Sequence, residues 1–386
     1  MTELFASLGI TYRPVLLTGS MTAKEKRLAR ESIENHEADI VIGTHALIQE
    51  KVVYDNLALV ITDEQHRFGV AQREMLSKKG GEPHVLVMSA TPIPRTLAII
   101  LYGDLDISII DELPANRQPI KNCVVNREFR PNAYRFIENE VRAGRQAYVI
   151  CPLVGLSRES RAERAEDGTL FSSLAQGSDI SDPRAAEQEA TRLQREVFSG
   201  YHVGLLTGRM SAAEKQEVMD AFNEGSIDVL VATTVVEVGV DVPNATMMLI
   251  EDAERFGLSQ LHQLRGRVGR GEHPGTVFLV ADPGKDDTET QARMDAFVST
   301  TDGFELAEAD LRTRHEGDVL GSRQHGAETL KLVNVIDDAQ LIACAHADAL
   351  ELLEADPDLR DPGHRALAAD IERTFANLDE TSSKGA

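Results

Sequence analysis

Short apolar runs alternate with charged stretches along most of this chain, a pattern that is typical of α/β proteins. Runs such as Leu57–Ile61 and Val85–Met88 are too short to be helices, and each is followed by small or polar residues. The stretch after Leu17 is rich in Ala, Glu, Lys and Arg, which favour helix formation. Strands that alternate with helices in this order predict parallel sheets with right-handed crossovers, in which ligands bind beyond the carboxyl ends of the strands.

The chain contains an internal repeat. LLTGSMTAKEKR begins at Leu16 and LLTGRMSAAEKQ begins at Leu205, an offset of 189 residues (205 − 16). The same offset relates DIVIGTHALI to DVLVATTVVE, and Asp63 in LVITDEQHRFG to Asp252 in MLIEDAERFG, after which the offset becomes 188 (Arg67 and Arg255). Thr22 and Ser211 stand where each copy can cap a helix. We therefore expect two copies of one α/β unit.

Further structural elements are predicted between the two copies and at the start of the second copy. PANRQP at Pro114–Pro119 predicts a linker turn, and the polar residues 157–183 favour a mobile surface insertion. The chain beyond about Leu332 is rich in Ala and Leu and predicts further helices. The elements predicted around the insertion are a strand at Cys123–Asn126, a helix at Arg135–Gly144, a strand at Gln146–Leu153 and a helix at Arg184–Phe198.

Composition narrows the class of protein. Apolar residues make up 42% of the 386 residues, which is enough for sizeable cores and for two or three domains. A net charge of -23 argues against a protein that coats nucleic acid non-specifically, although it permits a local basic groove. Cys123, Cys151 and Cys344 form no C-x-x-C pair, so no structural metal is expected. The cysteine usage fits a reducing cytosol, and the chain shows neither a signal-peptide pattern nor a run of about 20 apolar residues, so we expect a cytoplasmic protein without a membrane segment. We also expect a monomer.

Asp63 and Glu64 close the apolar run Leu57–Ile61, which we expect to be a buried strand. Adjacent carboxylates at the end of a buried strand are costly unless they hold a metal or take part in chemistry. In nucleoside triphosphate hydrolases an Asp at such a position serves the magnesium ion, and a neighbouring Glu can orient or deprotonate the attacking water. The pair therefore indicates phosphoryl chemistry.

The sequence QLRGRVGR, from Gln263 to Arg270, is the second candidate site. Three arginines spaced by glycines suit multidentate contact with phosphate oxygens. An arginine supplied from a second lobe can stabilise the charge on a transferring phosphoryl group. If Arg267 and Arg270 face the carboxylates across a cleft, hydrolysis requires closure of that cleft. The alternative interpretation is a solvated basic loop.

The motifs DEQH, SAT, VATTVVEVGVD and QLRGRVGR resemble the ordered motifs of superfamily-2 helicases and translocases. The resemblance implies an α/β fold with two tandem RecA-like parallel-sheet lobes, followed by a small helical C-terminal region. ATP would bind between the lobes and nucleic acid across their top. DEQHRFGVAQR, SATPIPRTLA and DLRTRHEGDVLGSRQHG are more specific and resemble the RecG family of bacterial DNA helicases, which remodel stalled replication forks. The expected divisions are a partial first lobe at 1–112, a second lobe at 113–300 and the helical region at 301–386.

The resemblance also implies roles for individual residues. Asp63 would bind Mg2+ through water and Glu64 would be the catalytic carboxylate, while Arg267 and Arg270 would act on the phosphates. The expected nucleotide-binding residues are Asp63, Gln263, Gly239 and Asp241. The residues expected to contact DNA or to couple the two sites are Thr44, His45, His66, Ser89, Thr91, Thr233, Thr234, Arg312, Arg314, Arg323 and Gln324.

The implied partner is branched or forked DNA, because hydroxyls, amides and arginines contact phosphate and sugar without reading sequence. Two departures from the family pattern fall in the implied translocation motif at 302–330. His315-Glu316-Gly317 stands where a Gly-Pro-Gly-like turn is usual, and His325 stands where a small residue is usual.

No G-x-x-x-x-G-K-[ST] phosphate loop occurs in these 386 residues. We therefore expect the polypeptide alone to be inactive as an ATPase, and its first lobe, without the phosphate-loop strand, to expose backbone edges and apolar faces. Two alternatives remain open. One is the motor of a transcription-repair coupling translocase, although DEEQ rather than DEQH is usual there. The other is a non-catalytic fragment that binds DNA or a partner through its second lobe.

Overall fold

The computed structural model divides the chain into two compact units, residues 1–91 and 92–386. The predicted lobe boundaries at 112 and 300 stay predictions, and the predicted insertion at 157–183 lies outside the described residues. The structure describes residues 9, 11–19, 21–49, 51–63, 83–90, 97–99, 106–110, 112, 114, 117–152, 184–234, 242–284, 287–313, 333–334 and 337–373.

In its described part the first unit has four short strands and one longer helix. These are β1 (Pro14–Leu17), α1 (Ala23–Glu34), β2 (Ile40–Gly43), β3 (Leu59–Thr62) and β4 (His84–Val87). β1 pairs with β2 and β3 pairs with β4, both in parallel. A small core forms where α1 packs on the first pair. The predicted α/β alternation is therefore present in this unit.

The prediction that the run ending at Ile61 is a buried strand is wrong. Leu59 and Ile61 are 53% and 56% exposed, whereas Val60 and Thr62 on the opposite face are buried. The reason is that β3 is packed on one face only: Val60 lies against Ile48 and Leu57, while the face that carries Leu59 and Ile61 stays exposed. These exposed side chains agree with the expectation of exposed apolar faces in this lobe.

The second unit is built on a six-stranded parallel sheet with the order β5-β10-β9-β6-β8-β7. Its strands are β5 (Ile120–Val125), β6 (Gln146–Ile150), β7 (Val203–Leu206), β8 (Val229–Ala232), β9 (Ala245–Ile250) and β10 (Gly275–Val280). Its helices are α2 (Arg130–Arg142), α3 (Arg184–Arg192), α4 (Ala212–Asn223), α5 (Leu258–Arg265), α6 (Thr288–Ser299), α7 (Gly303–Thr313) and α8 (Ala339–Ala355).

Both faces of this sheet are covered by helices. Along β6, Tyr148 and Ile150 belong to the core that contains Phe222 of α4. Val149 between them belongs to the opposite core, with Ile137 of α2. Every residue of β6, β8 and β9 is buried, as expected of central strands in a parallel sheet covered on both sides. The α/β class with a parallel sheet is confirmed.

Several predicted element bounds shift in the structure. The helix predicted at Arg135–Gly144 is Arg130–Arg142, because Asn126 caps a preceding turn through Phe129 N and a proline fits the first helical turn. The strand predicted at Cys123–Asn126 begins earlier, at Ile120, where it pairs with the start of β10. The strand predicted at Gln146–Leu153 ends at Ile150, and the helix predicted at Arg184–Phe198 is α3 followed by a π-helical turn at Leu193–Val197.

The two copies of the repeat fold into the same local structure. Thr22 caps α1 and Ser211 caps α4, and each hydroxyl accepts the backbone N–H three residues later at 3.3 Å. The carboxylates of Glu25 and Glu214 in turn accept the backbone N–H of the capping residues at 2.8 Å and 2.7 Å. Both capping predictions are confirmed, and each forms a complete capping box.

A lysine closes the Thr-Gly turn in front of each of these helices. Lys26 Nζ donates to Gly19 O at 2.6 Å, and Lys215 Nζ donates to Gly208 O at 2.8 Å. The conformation of each turn is thus fixed by side chains that the repeat supplies at the same positions.

Helices dominate the C-terminal part. α7 packs Leu306 into the core shared with α5 and α6, whereas α8 buries none of its side chains. Residues 365–373 are also helical. In the described parts of the chain, no helix combines the length and apolar character needed to cross a lipid bilayer.

Candidate functional site

Polar residues follow the paired strands of the first unit at their carboxyl ends, as predicted. Gly43 ends β2 so close to β1 that an added Cβ would lie 2.1 Å from Leu17 O, so only glycine fits there. Thr44 and His45 come directly after this glycine and are exposed. Their hydroxyl and imidazole groups are therefore presented at the edge where β1 and β2 end.

Asp63 and Ser89 follow β3 and β4. They follow the ends of neighbouring strands, because Thr62 pairs with Val87 and Met88 N donates to Thr62 O at 2.8 Å. Both residues are exposed. Glu64, His66 and Thr91 lie outside the described residues.

The corresponding edge of the second unit carries Thr233 and Thr234 after β8. Thr233 N donates to Leu206 O at the end of β7, and the residue is only 1% exposed. Its hydroxyl has no hydrogen-bond partner among the described residues. By the 189-residue offset these threonines are the counterparts of Thr44 and His45, since 44 + 189 = 233. Gly239 and Asp241 lie outside the described residues.

The counterpart of Asp63 in the second copy is a structural residue. Asp252 adopts a left-handed conformation (φ 45°), which Asp tolerates better than most residues, and accepts a hydrogen bond from Arg127 at 2.7 Å. Glu251 before it is buried and accepts from Arg130 at 2.5 Å. Burial raises the pKa of Glu251, and the arginine opposes that rise. The two copies thus differ at this strand end, as expected for a site that needs only one set of acidic groups.

The arginine-rich turn follows α5. Gln263 and Arg267 are half-buried and Arg270 is exposed. The carbonyl of Gly266 accepts hydrogen bonds from Arg270 Nε at 2.7 Å and from Arg117 Nη2 at 3.2 Å. Arg117 belongs to the segment that the sequence predicts as a linker turn, so that segment also holds the arginine turn in place.

The arginine turn lies at the amino-terminal edge of the sheet. Gln118 N, just before β5, donates to Gly269 O at 3.4 Å, and Gly269 has a φ of 70° with Ile120 directly against it. Gly271 is in close contact with Pro243, just before β9. Across strands of four to six residues, this edge is about 13–20 Å from the edge that carries the threonines. The sequence gives no signal for this separation.

The chain between Thr234 and Val242 has its two described ends at opposite edges of the sheet. Thr234 follows the carboxyl end of β8, and Val242 precedes the amino end of β9. β8 and β9 belong to the same parallel sheet, so these two residues mark opposite edges of it.

Arg265 is an exception to the prediction that all three arginines suit phosphate contact. It is 2% exposed and donates to Thr300 O at 2.7 Å, to Thr301 O at 2.9 Å and to His262 Nδ1 at 2.8 Å. Its guanidinium also stacks 4.7 Å from the ring centre of Phe297. The prediction is wrong for Arg265 because this side chain points into the helical layer.

A signal for this orientation is present in the sequence. Leu258, Leu261 and Arg265 recur at helical spacing, which places Arg265 on the buried face of α5. Burial lowers the pKa of Arg265 to about 10, so it stays charged at neutral pH.

Of the remaining predicted residues, the structure describes only Arg312. Arg312 is exposed in the last turn of α7. Arg314, Arg323 and Gln324 lie outside the described residues. Among the residues that the structure describes, no group of three or more His, Cys, Asp or Glu side chains could hold a metal ion.

Family models match three successive parts of the chain. The DEAD/DEAH box helicase model matches residues 1–100, and the helicase conserved C-terminal domain model matches residues 169–272. The model described as ATP-dependent DNA helicase RecG, domain 3, C-terminal, matches residues 300–375.

The chain is similar to curated RecG proteins. It is 47% identical over 356 residues to the ATP-dependent DNA helicase RecG of Staphylococcus epidermidis. The aligned region covers 92% of this chain and 48% of that protein. It is 48% identical over 370 residues to that of Mycobacterium tuberculosis, covering 94% of this chain and 48% of that protein. The chain thus spans about half the length of the curated relatives that it matches.

A solved structure of RecG bound to a three-way DNA junction is also similar. It is 40% identical, with a TM-score of 0.62, and the match covers 88% of this chain and 41% of that one. The predicted fold class, two tandem RecA-like lobes followed by a helical C-terminal region, is confirmed.

Proposed function

This chain belongs to the RecG helicase family, and we propose that it is the motor portion of an ATP-dependent DNA helicase or translocase. The observation that supports this most directly is the ordered match to RecG proteins over more than nine-tenths of the chain. We propose branched DNA, such as stalled forks and junctions, as the substrate and recombination and repair as the setting. The match of the RecG domain 3 model to residues 300–375 favours RecG over a transcription-repair coupling translocase.

In this proposal Asp63 and Glu64 serve the nucleotide. Asp63 is exposed at a strand end, where it can reach a magnesium ion through water. Mg2+ commonly keeps several waters and takes one or two carboxylates together with substrate phosphates, so it needs no larger cluster of protein ligands. Glu64 follows Asp63 directly and would accept a proton from, or orient, the attacking water.

The second unit would supply positive charge. Arg267 and Arg270 would hold phosphate oxygens and stabilise the charge that develops during transfer. The exposure of Arg270 and the hydrogen bond that fixes its Nε support this role. Gln263, Gly239 and Asp241 would complete the nucleotide contacts.

DNA contacts would come from both copies of the repeat. Thr44 and His45 in the first unit, and Thr233 and Thr234 in the second, occupy equivalent strand ends, which supports a shared role at the sugar-phosphate backbone. Thr233 is buried in this structure, so its hydroxyl would reach DNA only after the residues that cover it move. The residues proposed to add to these contacts or to couple them to hydrolysis are His66, Ser89, Thr91, Arg312, Arg314, Arg323 and Gln324.

The 386 residues by themselves are proposed to be inactive as an ATPase, since they contain no phosphate loop. Calorimetric titration of the purified chain with magnesium-ATP measures this, and tight binding would contradict it. A monomeric state and a cytoplasmic location are part of the same proposal. A molar mass well above 42.3 kDa, measured by light scattering, would contradict the monomeric state.

The activity is tested in a chimera in which this chain replaces the matching half of the Staphylococcus epidermidis RecG protein. The chimera is expected to hydrolyse ATP when junction DNA is added and to unwind the junction. Glu64→Gln should lower the hydrolysis rate by roughly 100-fold or more, because the general base is lost. Glu31→Gln, on the exposed face of α1, is the matched control. Near-normal hydrolysis by the Glu64→Gln chimera would refute the assignment.

A further inference from the structure

The side chain of Arg265 connects two parts of the second unit. On one side it binds Thr300 O and Thr301 O, at the junction between α6 and α7. On the other side it is covalently joined to Gly266, whose carbonyl accepts from Arg270 Nε. Arg265 therefore connects the helix junction to Arg270, through its own hydrogen bonds on one side and through the backbone of Gly266 on the other.

The site around Arg265 is built for a guanidinium group. Phe297 and Thr300 contribute carbonyls from the C-terminal end of α6, where the helix dipole favours a cation. His262 contributes a ring nitrogen as an acceptor, and the face of Phe297 covers the guanidinium plane. A lysine presents one compact ammonium and cannot bridge this spread of acceptors with a fixed plane.

We propose that Arg265 is a positioning residue: it anchors the arginine turn to the α6–α7 junction and thereby fixes the orientation of Arg270. It does not contact phosphate itself, because its donors are engaged inside the protein. The expected effect of Arg265 on catalysis rests on the proposed function of Arg270 in ATP hydrolysis. Its expected effect on the orientation of the Arg270 side chain does not depend on that function.

The structural arm uses the complete 386-residue chain with isotope-labelled arginine side chains. The Nε–H resonance of Arg270, assigned by its loss in Arg270→Lys, reports the bond to Gly266 O. Arg265→Lys should shift this resonance and speed its exchange with water. His262→Leu, which removes one acceptor of Arg265, should have a smaller effect in the same direction. This variant replaces Arg265→Lys in the test if Arg265→Lys does not fold.

Arg293→Lys is the matched control for this arm. Arg293 lies on α6 and donates to Glu254 O at 3.0 Å and to Thr290 Oγ1 at 3.2 Å, and both of these acceptors lie outside the arginine turn. It should leave the Arg270 resonance unchanged. An unchanged Arg270 resonance in folded Arg265→Lys or His262→Leu would overturn the proposal.

The kinetic arm uses the chimera. Arg265→Lys should lower kcat by roughly 10- to 100-fold through misplacement of Arg270, with KM for ATP nearly unchanged. In an Arg270→Ala background the same change should have little further effect on kcat, since the two residues act in series. Independent, multiplicative losses would overturn the proposal. A chimera without any ATPase activity would refute the proposed function but not the positioning role of Arg265. That role is tested separately, by the Nε–H resonance of Arg270.

Discussion

His262 shows how one buried contact makes stability depend on pH. Its Nδ1 accepts a hydrogen bond from Arg265, so the imidazole must be uncharged in the folded protein. Burial, and then the positive charge of Arg265, lower its pKa to about 4. An unfolded histidine titrates near 6.5, so the unfolded state binds the proton first as the pH falls.

We therefore predict that the free energy of unfolding of the second unit falls by about 1–3 kcal/mol between about pH 7 and pH 4 on account of His262. Hydrogen exchange of the β6 amides across this pH range measures it. His262→Gln should remove this part of the pH dependence, whereas His202→Gln, at a side chain that is 82% exposed, should not. An unaltered pH profile in His262→Gln would contradict the prediction.

Two cysteines should differ in reactivity. Cys151 is buried after β6, and burial raises the pKa of its thiol, so little thiolate forms. Cys344 is exposed on α8. We predict that iodoacetamide modifies Cys344 rapidly in the native protein and modifies Cys151 only after the second unit unfolds, as followed by peptide mass spectrometry. Equal rates in native buffer would show that the end of β6 is open to solvent.

At the scale of the element, the repeated capping boxes make a quantitative prediction. Ser211→Ala should destabilise α4 by about 1 kcal/mol, because the backbone N–H of Glu214 loses its acceptor. Ser211→Asp should retain most of the stability, because Asp is also a good capping residue. Thr22→Ala should have a similar local effect on α1. Local hydrogen exchange of the first turn of each helix is the measurement, and equal exchange in Ser211→Ala and Ser211→Asp would contradict it.

The elements themselves could be predicted from apolar periodicity and capping residues. The helix after Ser211 is found where the pattern places it, because local signals determine it. Bounds that depend on pairing could not be read in this way: Ile120 joins β5 because it lies beside Gly275. The opposite edges of the threonines and arginines depend on tertiary packing, which spacing in the motif does not record. The orientation of Arg265 differs, because its helical spacing from Leu258 and Leu261 already places it on the buried face of α5.

The burial of β3 could not be predicted for a related reason. An apolar run such as Leu57–Ile61 fits a strand that is covered on both faces as well as one that is covered on one face. Which case applies depends on what packs on each face of the sheet and not on the run itself. In the second unit the comparable strand, β9, belongs to a sheet that is covered on both faces, and it is completely buried.

At the scale of the whole molecule, the two units should differ in stability. The second unit buries large side chains such as Tyr148, Phe198 and Phe297 on the two faces of a six-stranded sheet. Full burial of one such side chain contributes about 1.5–3 kcal/mol. The described strands of the first unit form only two-stranded sheets, and its small core contains residues such as Leu17 and Ile33.

We predict that the first unit opens well before the second in this 386-residue chain. Amides of β1 to β4 should exchange within seconds to minutes at neutral pH, while those of β6, β8 and β9 should stay protected for hours or longer, because local opening follows local burial. Apart from cuts in the predicted insertion at 157–183, limited proteolysis should accordingly cut first within residues 1–91 and leave a product that retains residues 117–150. Substituting Leu59 by Thr, at an exposed position of β3, should leave the protection of β6 unchanged, whereas Phe222→Ala in the second core should reduce it strongly. Uniform protection of both units, lost together in Phe222→Ala, would show instead that the chain unfolds as one cooperative body.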